Sequence, residues 1–420
     1  MIFTIHRGAN EIGGTCIEVC TAKTRIILDI GKPLENNDTA SVSSDDKLLP
    51  NIPELYKPVK DKDTVIIISH AHQDHYGLIG HVEKSIPVYI GEVSHKLIEL
   101  SAVFKGEKPV IENPIYIKTY EPFVFGDIEI TPYLMDHTCC DAYAFLLCGE
   151  GQSFFYSGDF RGHGRKWKWF RKFLHNAPKN VDYMFLEGTS LSRQKQKFKT
   201  EEQLETQFIK TFWETKGLNL VLVSGQNIDR LVTIYRACKQ SVKTFVVDFY
   251  IAQVLFELAG LGYKVPNPCI DGYNIRVFYP NLLTRKMLKL KRNDLLERFA
   301  KNKINFDEIN KNTGNIVMSI RTSMMHEIKL INNLSGSTLI YSMWEGYKET
   351  TSTIRFLSQI EKRGATIKSI HTSGHADHDA LQKMIDAVQP KTLVPIHTTE
   401  ADKYKEFFPN ANVRCVENYE

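Results

Sequence analysis

No apolar run in the 420-residue sequence is long enough to cross a membrane as a helix, which takes about 20 residues. Residues 1–6 lack the basic and apolar regions of a signal peptide, so we expect a cytoplasmic protein. The eight cysteines are scattered, which indicates reduced thiols rather than a disulfide framework. The net charge of +4 at pH 7 excludes no class of partner.

What the sequence does contain is a cluster of histidines next to an aspartate. Residues 70–75 read His-Ala-His-Gln-Asp-His and follow a β-branched run, residues 65–68, that predicts a buried strand. The cluster therefore begins where a strand ends, and its side chains can point into one small volume. Imidazole nitrogens and carboxylate oxygens are ligands of zinc and of manganese-like ions. Solvated histidines on a turn would explain one or two of these residues, but not the whole cluster.

Four other apolar runs lead to a polar residue of the same kind. They precede Asp29, His137, Asp159 and His397. Each residue alone is typical of a capped turn, but layered folds assemble sites from the ends of several strands. Together with residues 70–75 they predict a site for two divalent ions. Because no cysteine takes part, zinc is the first choice and manganese the second.

These residues, in this order and spacing, resemble the motifs of the metallo-β-lactamase superfamily. The resemblance implies two metal ions that share Asp159 as a bridge, together with a water or hydroxide that attacks a phosphodiester. It also implies a catalytic role for Asp74. Asp29 would orient a ligand histidine, with direct metal binding as the alternative. The remaining ligands implied for the two ions are His70, His72 and His137 for one, and Asp74, His75 and His397 for the other.

The middle of the chain has a different pattern, in which predicted helices and strands alternate. The helices are predicted at residues 201–216, 228–238, 252–261, 285–299 and 350–362, and the strands at 218–223, 244–248, 275–279, 316–320 and 338–343. Such alternation predicts a parallel sheet covered by helices. We therefore predict a first domain at residues 1–195, an inserted domain at 196–363, and a return to the first domain at 364–420. A strand at residues 367–370 would resume its core.

The insertion resembles the β-CASP group of nucleic-acid-processing enzymes, which includes ribonuclease J. Glu187 matches the acidic motif of the group, His375 its histidine motif and His397 its last motif, so the resemblance implies catalytic roles for Glu187 and His375. The fold expected from it is α/β: a metallo-β-lactamase αββα sandwich with an inserted parallel α/β (β-CASP) domain.

Two features depart from ribonuclease J, although the glycine-rich residues 8–14 resemble its opening turn. The sequence ends soon after His397, without the carboxy-terminal domain of that family. Residues 321–323 read Arg-Thr-Ser instead of a Gly-Ser-Gln type of loop. The resemblance therefore leaves open whether the chain forms a homodimer and whether cleavage starts at an end of the substrate.

Basic residues cluster after the proposed ligand Asp159 and again in the insertion. Cations near a metal site suit a phosphate backbone, although residues 285–292 are also compatible with a solvated helix face. Ser224 and Asn227, at the start of a predicted helix, would hold a phosphate on backbone amides, with ordinary capping as the alternative. Arg230 of the same helix is also predicted to contact substrate. Four more residues are predicted to contact substrate, namely Arg161, His163, Arg165 and Lys166, with a tight turn as the alternative for His163.

The sequence thus predicts a metal-dependent nuclease that hydrolyses phosphodiester bonds of single-stranded nucleic acid. RNA is the first choice of substrate, and DNA cleaved by the same mechanism is the second. A hydrolase of small esters or thioesters would share the metal site but would not need the insertion. An inactive scaffold would have no physical reason to retain a buried charge cluster. No membrane partner is expected.

Overall fold

The computed structural model describes residues 1–34, 45–57, 61–193 and 197–419. The predicted boundary between residues 195 and 196 lies outside this described part. The chain divides into two compact units. Unit 1 consists of Met1–Glu99, Pro109–Phe198 and Ser373–Glu420, and unit 2 of Leu100–Lys108 and Lys199–Thr372. The predicted domain boundaries themselves stay a prediction.

Three sheets organise the two units. The first sheet has the strand order β1-β2-β3-β4-β5-β6, the second β19-β11-β10-β9-β8-β7, and the third β15-β14-β13-β16-β12-β17-β18. The strands are β1 (Ile2–Arg7), β2 (Cys16–Cys20), β3 (Thr24–Leu28), β4 (Asp63–Ile68), β5 (Val88–Ile90), β6 (Pro114–Tyr116), β7 (Phe123–Phe125), β8 (Ile128–Met135), β9 (Ala142–Gly149), β10 (Gln152–Tyr156), β11 (Tyr183–Glu187), β12 (Asn219–Leu222), β13 (Thr244–Asp248), β14 (Ile275–Phe278), β15 (Lys303–Ile304), β16 (Ile316–Ile320), β17 (Thr338–Tyr341), β18 (Thr366–Ser369) and β19 (Thr392–Ile396).

Helices and short 3-10 turns connect these strands. The α-helices are α1 (Gln73–Tyr76), α2 (Glu92–Lys105), α3 (Trp167–Asn176), α4 (Glu201–Glu214), α5 (Ile228–Gln240), α6 (Phe249–Gly260), α7 (Asn281–Lys289), α8 (Asn293–Glu297), α9 (Phe306–Lys311), α10 (Met325–Lys329), α11 (Thr351–Lys362), α12 (His378–Val388) and α13 (Tyr404–Phe407). Within the described part of the chain, no helix is both long and apolar enough to span a membrane.

Unit 1 is built around the first two sheets. Apolar side chains of both sheets form one buried core, to which β4 contributes Val65 and Ile67 and β10 contributes Phe154. The opposite face of the second sheet is covered by α3 and α12, whose residues Phe173 and Met384 are fully buried in a second core. Alternating burial of this kind requires one layer on each face of the sheet. The predicted αββα sandwich is confirmed.

Unit 2 contains the third sheet, in which every paired strand runs parallel to its neighbour. Parallel strands are buried on both faces. This burial explains why β12, β13 and β16 are short, continuously apolar runs in the amino-acid sequence. Helices α9, α10 and α11 contribute Ile309, Ile328 and Phe356 to the core on one face. The inserted parallel α/β domain is therefore confirmed as a fold.

Two predicted elements of this unit are wrong. The helix expected at residues 285–299 is divided into α7 and α8, because Lys291 between them adopts a left-handed backbone with φ of 56°. The strand expected at residues 367–370 to resume the first core is β18, which pairs parallel to β17 in the third sheet. Local apolar patterning does not say which sheet a short strand joins, since parallel pairing is non-local.

A buried ion pair ties three elements of unit 2 together. The Arg230 guanidinium on α5 donates to both carboxylate oxygens of Glu201 on α4, at 3.2 and 3.1 Å. It also donates to the Ser342 hydroxyl, which follows β17, and Thr233 donates to Glu201 at 2.6 Å. Both charged side chains are fully buried. The guanidinium hydrogen bonds of Arg230 are thus used inside the unit, and its predicted contact with substrate stays a prediction.

Removing one member of this pair should destabilise unit 2. In Glu201→Ala the guanidinium stays buried without its counter-charge, and we expect the free energy of unfolding to fall by about 3–5 kcal/mol. Urea denaturation measures the change. The control is Asp271→Ala, which breaks an exposed pair with Lys301 and should leave the transition unchanged. Equal midpoints for the two variants would contradict a structural role for the pair.

Candidate metal centre

Parallel pairing in the first sheet brings two of the predicted segments to one edge. Leu28 of β3 lies beside Ile67 of β4. Asp29, which follows β3, and His70, which follows β4, therefore leave the sheet at neighbouring positions. Helix α1 begins directly after His72 and carries the rest of the cluster. The carboxyl ends of adjacent parallel strands are where layered folds place their sites.

The second sheet supplies the other segments in the same way. Glu187 ends β11 and is paired with Ile396, the last residue of β19, while β10 pairs parallel to β11 on its other side. Asp159 and His397 follow β10 and β19, so both leave the sheet beside Glu187. His137 follows β8 of the same sheet.

The backbone is left-handed at Asp29, which follows β3 of the first sheet, and at His397, which follows β19 of the second. Asp29 has φ of 60° and His397 has φ of 48°, a conformation that side chains other than glycine rarely adopt. Such residues cost stability and occur where the surrounding structure fixes them, often at functional sites. Gly158, directly before Asp159, has φ of 52°, and a Cβ there would lie 2.5 Å from the Tyr143 carbonyl oxygen. Only glycine fits that position.

One group of side-chain donors consists of three histidines and Asp159. The Nδ1 atom of His72 lies 2.9 Å from Nε2 of His70 and 3.2 Å from Nε2 of His137. Asp159 Oδ2 lies 3.8 Å from Nε2 of His70 and 4.0 Å from Nε2 of His137. The four donor atoms are all within 4.8 Å of one another. This spacing suits one ion at the centre of the group.

The second group uses the same Asp159 with Asp74, His75 and His397. Asp159 Oδ2 is 3.2 Å from Nε2 of His75, and Asp159 Oδ1 is 3.8 Å from Nδ1 of His397. Asp74 Oδ2 lies 3.3 Å from Nε2 of His397 and 3.9 Å from Nε2 of His75. All seven residues predicted as ligands are therefore brought together, with Asp159 common to both groups.

The protonation states of the first group favour metal binding. Burial lowers the pKa of His70 and of His137 well below the usual value, and neighbouring histidines lower it further. Burial raises the pKa of Asp159, but His397 and His75 outweigh it and hold this pKa well below its usual range. Neutral imidazoles around an ionised carboxylate are what divalent metals require of their ligands.

Three buried polar atoms of the centre are left without a hydrogen bond by the described part of the chain. They are both carboxylate oxygens of Asp159 and Nε2 of His75. Buried polar groups are otherwise almost always paired, because leaving them unpaired costs free energy. A divalent cation between the two groups would supply the missing partner. The residues present therefore fit a metal ion.

Asp29 is held by four donors and in turn holds His75. Its carboxylate accepts from the Ser69 amide at 2.6 Å, the Ser69 hydroxyl at 2.7 Å, the Tyr156 hydroxyl at 2.6 Å and Nδ1 of His75 at 2.7 Å. Nε2 of His75 is thereby directed to the centre. These hydrogen bonds fit the role predicted for Asp29, a carboxylate that would orient a ligand histidine.

Sequence reasoning missed Ser69 and Tyr156, which hold Asp29, and Thr189, which contacts Nδ1 of His397 at 2.8 Å. For Ser69 and Tyr156, their position in the sequence was a signal that could have found them. Ser69 directly precedes His70, and Tyr156 ends the strand that leads to Asp159.

His375 lies beside the centre, in contact with Glu187. Its Nδ1 is 3.5 Å from Glu187 Oε2 and 3.6 Å from Asp159 Oδ2. Burial lowers the pKa of His375, but Asp159 and Glu187 outweigh it and raise this pKa to about 9. Glu187 is buried and also accepts from the amides of Thr189 and Ala376. The His375 side chain is 22% exposed, whereas that of Asp159 is 2% exposed.

Arg161 and His163 are buried, and the predicted contacts of these two residues with substrate stay predictions. The Arg161 guanidinium is fully buried and donates to the Ser373 carbonyl at 3.0 Å. His163 Nε2 lies 2.9 Å from the same oxygen. Nδ1 of His137 contacts the next carbonyl, that of Gly374, at 2.7 Å. These residues position the loop that carries His375.

The other residues that were predicted to contact substrate lie in different environments. Arg165 and Lys166 are half-buried at the start of α3. Asn227 caps α5 by accepting from the Arg230 amide at 3.1 Å, which is the alternative foreseen for it. The Ser224 hydroxyl accepts from the Gln226 amide at 3.3 Å. A phosphate contact by Ser224 or Asn227 stays a prediction.

Two domain families match the chain. Both matches lie mainly in unit 1 and extend into residues of unit 2. Residues 46–206 match the β-lactamase superfamily domain. Residues 360–406 match the RNA specificity domain of Zn-dependent metallo-hydrolases. The first match contains the candidate ligands from His70 to Asp159, and the second contains His375 and His397.

Curated relatives and a solved structure resemble nearly the whole chain. Ribonuclease J of Helicobacter pylori strain 26695 is 24% identical over 93% of this chain, and ribonuclease J of Mycoplasma pneumoniae is 24% identical over the same share. The chain spans 55% of the first relative and 66% of the second. A crystal structure of an Enterococcus faecalis V583 protein of unknown function is 23% identical, with a TM-score of 0.81, covering 100% of this chain and 98% of that one. This structure supports the fold.

Asp29→Asn should weaken metal binding. An amide has one acceptor oxygen and a donating NH2, so it cannot accept the four hydrogen bonds, and His75 loses its orientation. We expect zinc affinity to fall about 10- to 100-fold, measured by competition with a chelator. The control is Asp127→Asn, the same change at a carboxylate that contacts Thr21 at the surface. Unchanged affinity in Asp29→Asn would contradict the assigned role.

Proposed function

We propose that this metallo-β-lactamase superfamily protein, which resembles ribonuclease J, hydrolyses phosphodiester bonds of single-stranded nucleic acid, with RNA as its substrate. The observation that carries the proposal is the sharing of Asp159 by two groups of largely buried donor residues that could each hold a metal ion. The chain spans only part of its ribonuclease J relatives, so their activity is inferred for it rather than transferred. A cytoplasmic location and a homodimer stay predictions.

Two divalent ions are proposed as the cofactor, zinc first and manganese second. His70, His72 and His137 would hold one ion, Asp74, His75 and His397 the other, and Asp159 would contact both. Bound divalent ions lower the pKa of water and stabilise the charge that develops on a phosphate. The absence of cysteine from both groups and the zinc-dependent family matched by residues 360–406 support this choice. Asp74 would act as both ligand and catalytic carboxylate.

His375 is proposed to give a proton to the leaving oxygen. It is more exposed than Asp159 or His397, so a substrate can reach it, and Glu187 holds its Nδ1 side. That contact leaves Nε2 as the atom that would donate. Proton transfer by a positioned side chain contributes about 10²–10⁴-fold to a rate. The hydrogen bonds from Arg161 and His163 to Ser373 would keep His375 in place.

RNA is favoured over DNA by the matched domain family and by the names of the relatives. The family over residues 360–406 is described by its RNA specificity, and this segment includes His375 and His397. The relatives that cover most of the chain are named ribonuclease J. The inserted parallel α/β unit adds surface that a hydrolase of small esters would not need.

The metal-loaded protein should cleave end-labelled single-stranded RNA, and Asp159→Asn should lose metal and cleavage together. Asp159 contributes to both donor groups, so its replacement weakens both ions. Metal analysis and gel assays on one preparation measure the two losses, with Asp127→Asn as the control. Efficient turnover of a small thioester with no cleavage of RNA or DNA would contradict the proposal. So would full metal content and normal cleavage in Asp159→Asn.

His375→Ala should slow the chemical step by about 10²–10⁴-fold and leave the metal content nearly unchanged. Single-turnover rates and metal analysis on the same preparation measure both quantities. His175→Ala, which removes an exposed histidine of α3, is the control and should retain the rate. His375, Glu187 and His397 also form a group of possible metal donors. Loss of metal in His375→Ala would make His375 a ligand and contradict its role as the acid.

A further inference from the structure

We propose that helix α7 carries a second binding site for single-stranded RNA, formed by Arg285, Lys286 and Lys289, which hold the phosphate backbone of the substrate on unit 2. The inference rests on the proposed function, because it names another surface for the same substrate.

The three cations of helix α7 are exposed. Arg285, Lys286 and Lys289 lie on the surface, and none of them forms an ion pair with the described residues of the chain. Arg292, a few residues further on, is different, because it pairs with Asp294 at 2.8 Å. Like charges one turn apart on a helix repel each other and reduce its stability. A row of unpaired cations therefore has a cost that an anionic partner would offset.

The helix holds these cations in a fixed row. Met287 is fully buried and anchors the inner face, and the amide of Asn281 donates to the buried Glu327 carboxylate at 2.9 Å. With about 100° of rotation per residue, Arg285 and Lys289 lie opposite Met287. The rise of the helix places them about 6 Å apart along its axis. A row of this kind suits a chain of repeated phosphates.

A lipid surface fits the helix less well. Leu282 is 69% exposed and Leu288 is 53% exposed, which is apolar surface of the kind that membrane-binding helices use. The same helical rotation, however, places Arg285 and Lys289 between these two leucines. An interfacial helix needs a continuous apolar face opposite its charged face. Leu282 shares the outward strip of α7 with these cations, so the helix has no continuous apolar face, and its charge favours a polyanion as the partner.

Neutralising the three cations should weaken RNA binding in a salt-dependent way. We expect the triple variant Arg285→Gln, Lys286→Gln, Lys289→Gln to reduce the slope of log K against log salt by about 2, since each cation on a single strand contributes about 0.7. If the lines converge near 1 M salt, affinity at about 0.1 M salt falls about 100-fold. Fluorescence anisotropy with a metal-loaded full chain and a cleavage-resistant phosphorothioate RNA measures both.

A second triple variant controls for net charge. Lys239→Gln, Lys329→Gln, Lys362→Gln removes three exposed lysines from three other helices of unit 2, again without ion pairs to the described residues. Both variants should hydrolyse a small nitrophenyl phosphodiester at the parent rate. Equal losses of RNA affinity in the two variants, or an unchanged slope in the first, would overturn the site on α7.

The remaining outcomes separate this site from the proposed function. If the parent cleaves RNA but the α7 variant binds RNA like the control, the site is wrong and the function stands. If the parent neither binds nor cleaves RNA, both are wrong. If phosphatidylserine vesicles bind the parent through these three cations while RNA affinity does not depend on them, the partner is a membrane and the RNA site is overturned.

Discussion

The buried carboxylate of Asp159 is the constraint around which unit 1 is arranged. It is 2% exposed, and both of its oxygens lack a hydrogen bond from the described residues, although five histidines lie within 4.0 Å of it. An ionised group in such a place needs a compensating charge, because burial without a partner costs several kcal/mol. Divalent cations held by the two donor groups would supply that charge. The backbone at Asp29 and His397 is strained for the same reason, because both residues must turn from the ends of their strands toward the Asp159 carboxylate.

The surrounding hydrogen bonds link the ligands to the proposed acid. His137, a proposed ligand, contacts the Gly374 carbonyl, while Arg161 and His163 contact the Ser373 carbonyl. The loop that presents His375 is therefore fixed by the same strand ends that present the ligands. Glu187 also holds this loop, because its carboxylate contacts the His375 ring and accepts a hydrogen bond from the Ala376 amide. Proposed metal ligation and proton transfer thus both depend on strand ends of the two sheets of unit 1, which fix the relative positions that catalysis requires.

That the candidate ligands meet in one place could be predicted from sequence, because the cluster at residues 70–75 and each of His137, Asp159 and His397 follow an apolar run, and strand ends are local signals. The strands at residues 244–248 and 316–320 were predicted with their observed bounds, because strands buried on both faces are continuously apolar. Contacts distant in sequence were not accessible. Basic character alone did not distinguish Arg161 and Arg230, whose partners Ser373 and Glu201 lie far along the chain, from the exposed cations of α7. The same limit hid the sheet to which β18 belongs.

Anomalous X-ray diffraction at the absorption edges of zinc and manganese tests the central claim most directly. Crystals of the metal-loaded protein should give two anomalous peaks, both within coordination distance of Asp159. One peak should be surrounded by His70, His72 and His137, and the other by Asp74, His75 and His397, at the distances of about 2.0–2.2 Å that such ligands adopt. A single peak, or peaks that leave the Asp159 carboxylate uncoordinated, would contradict the account.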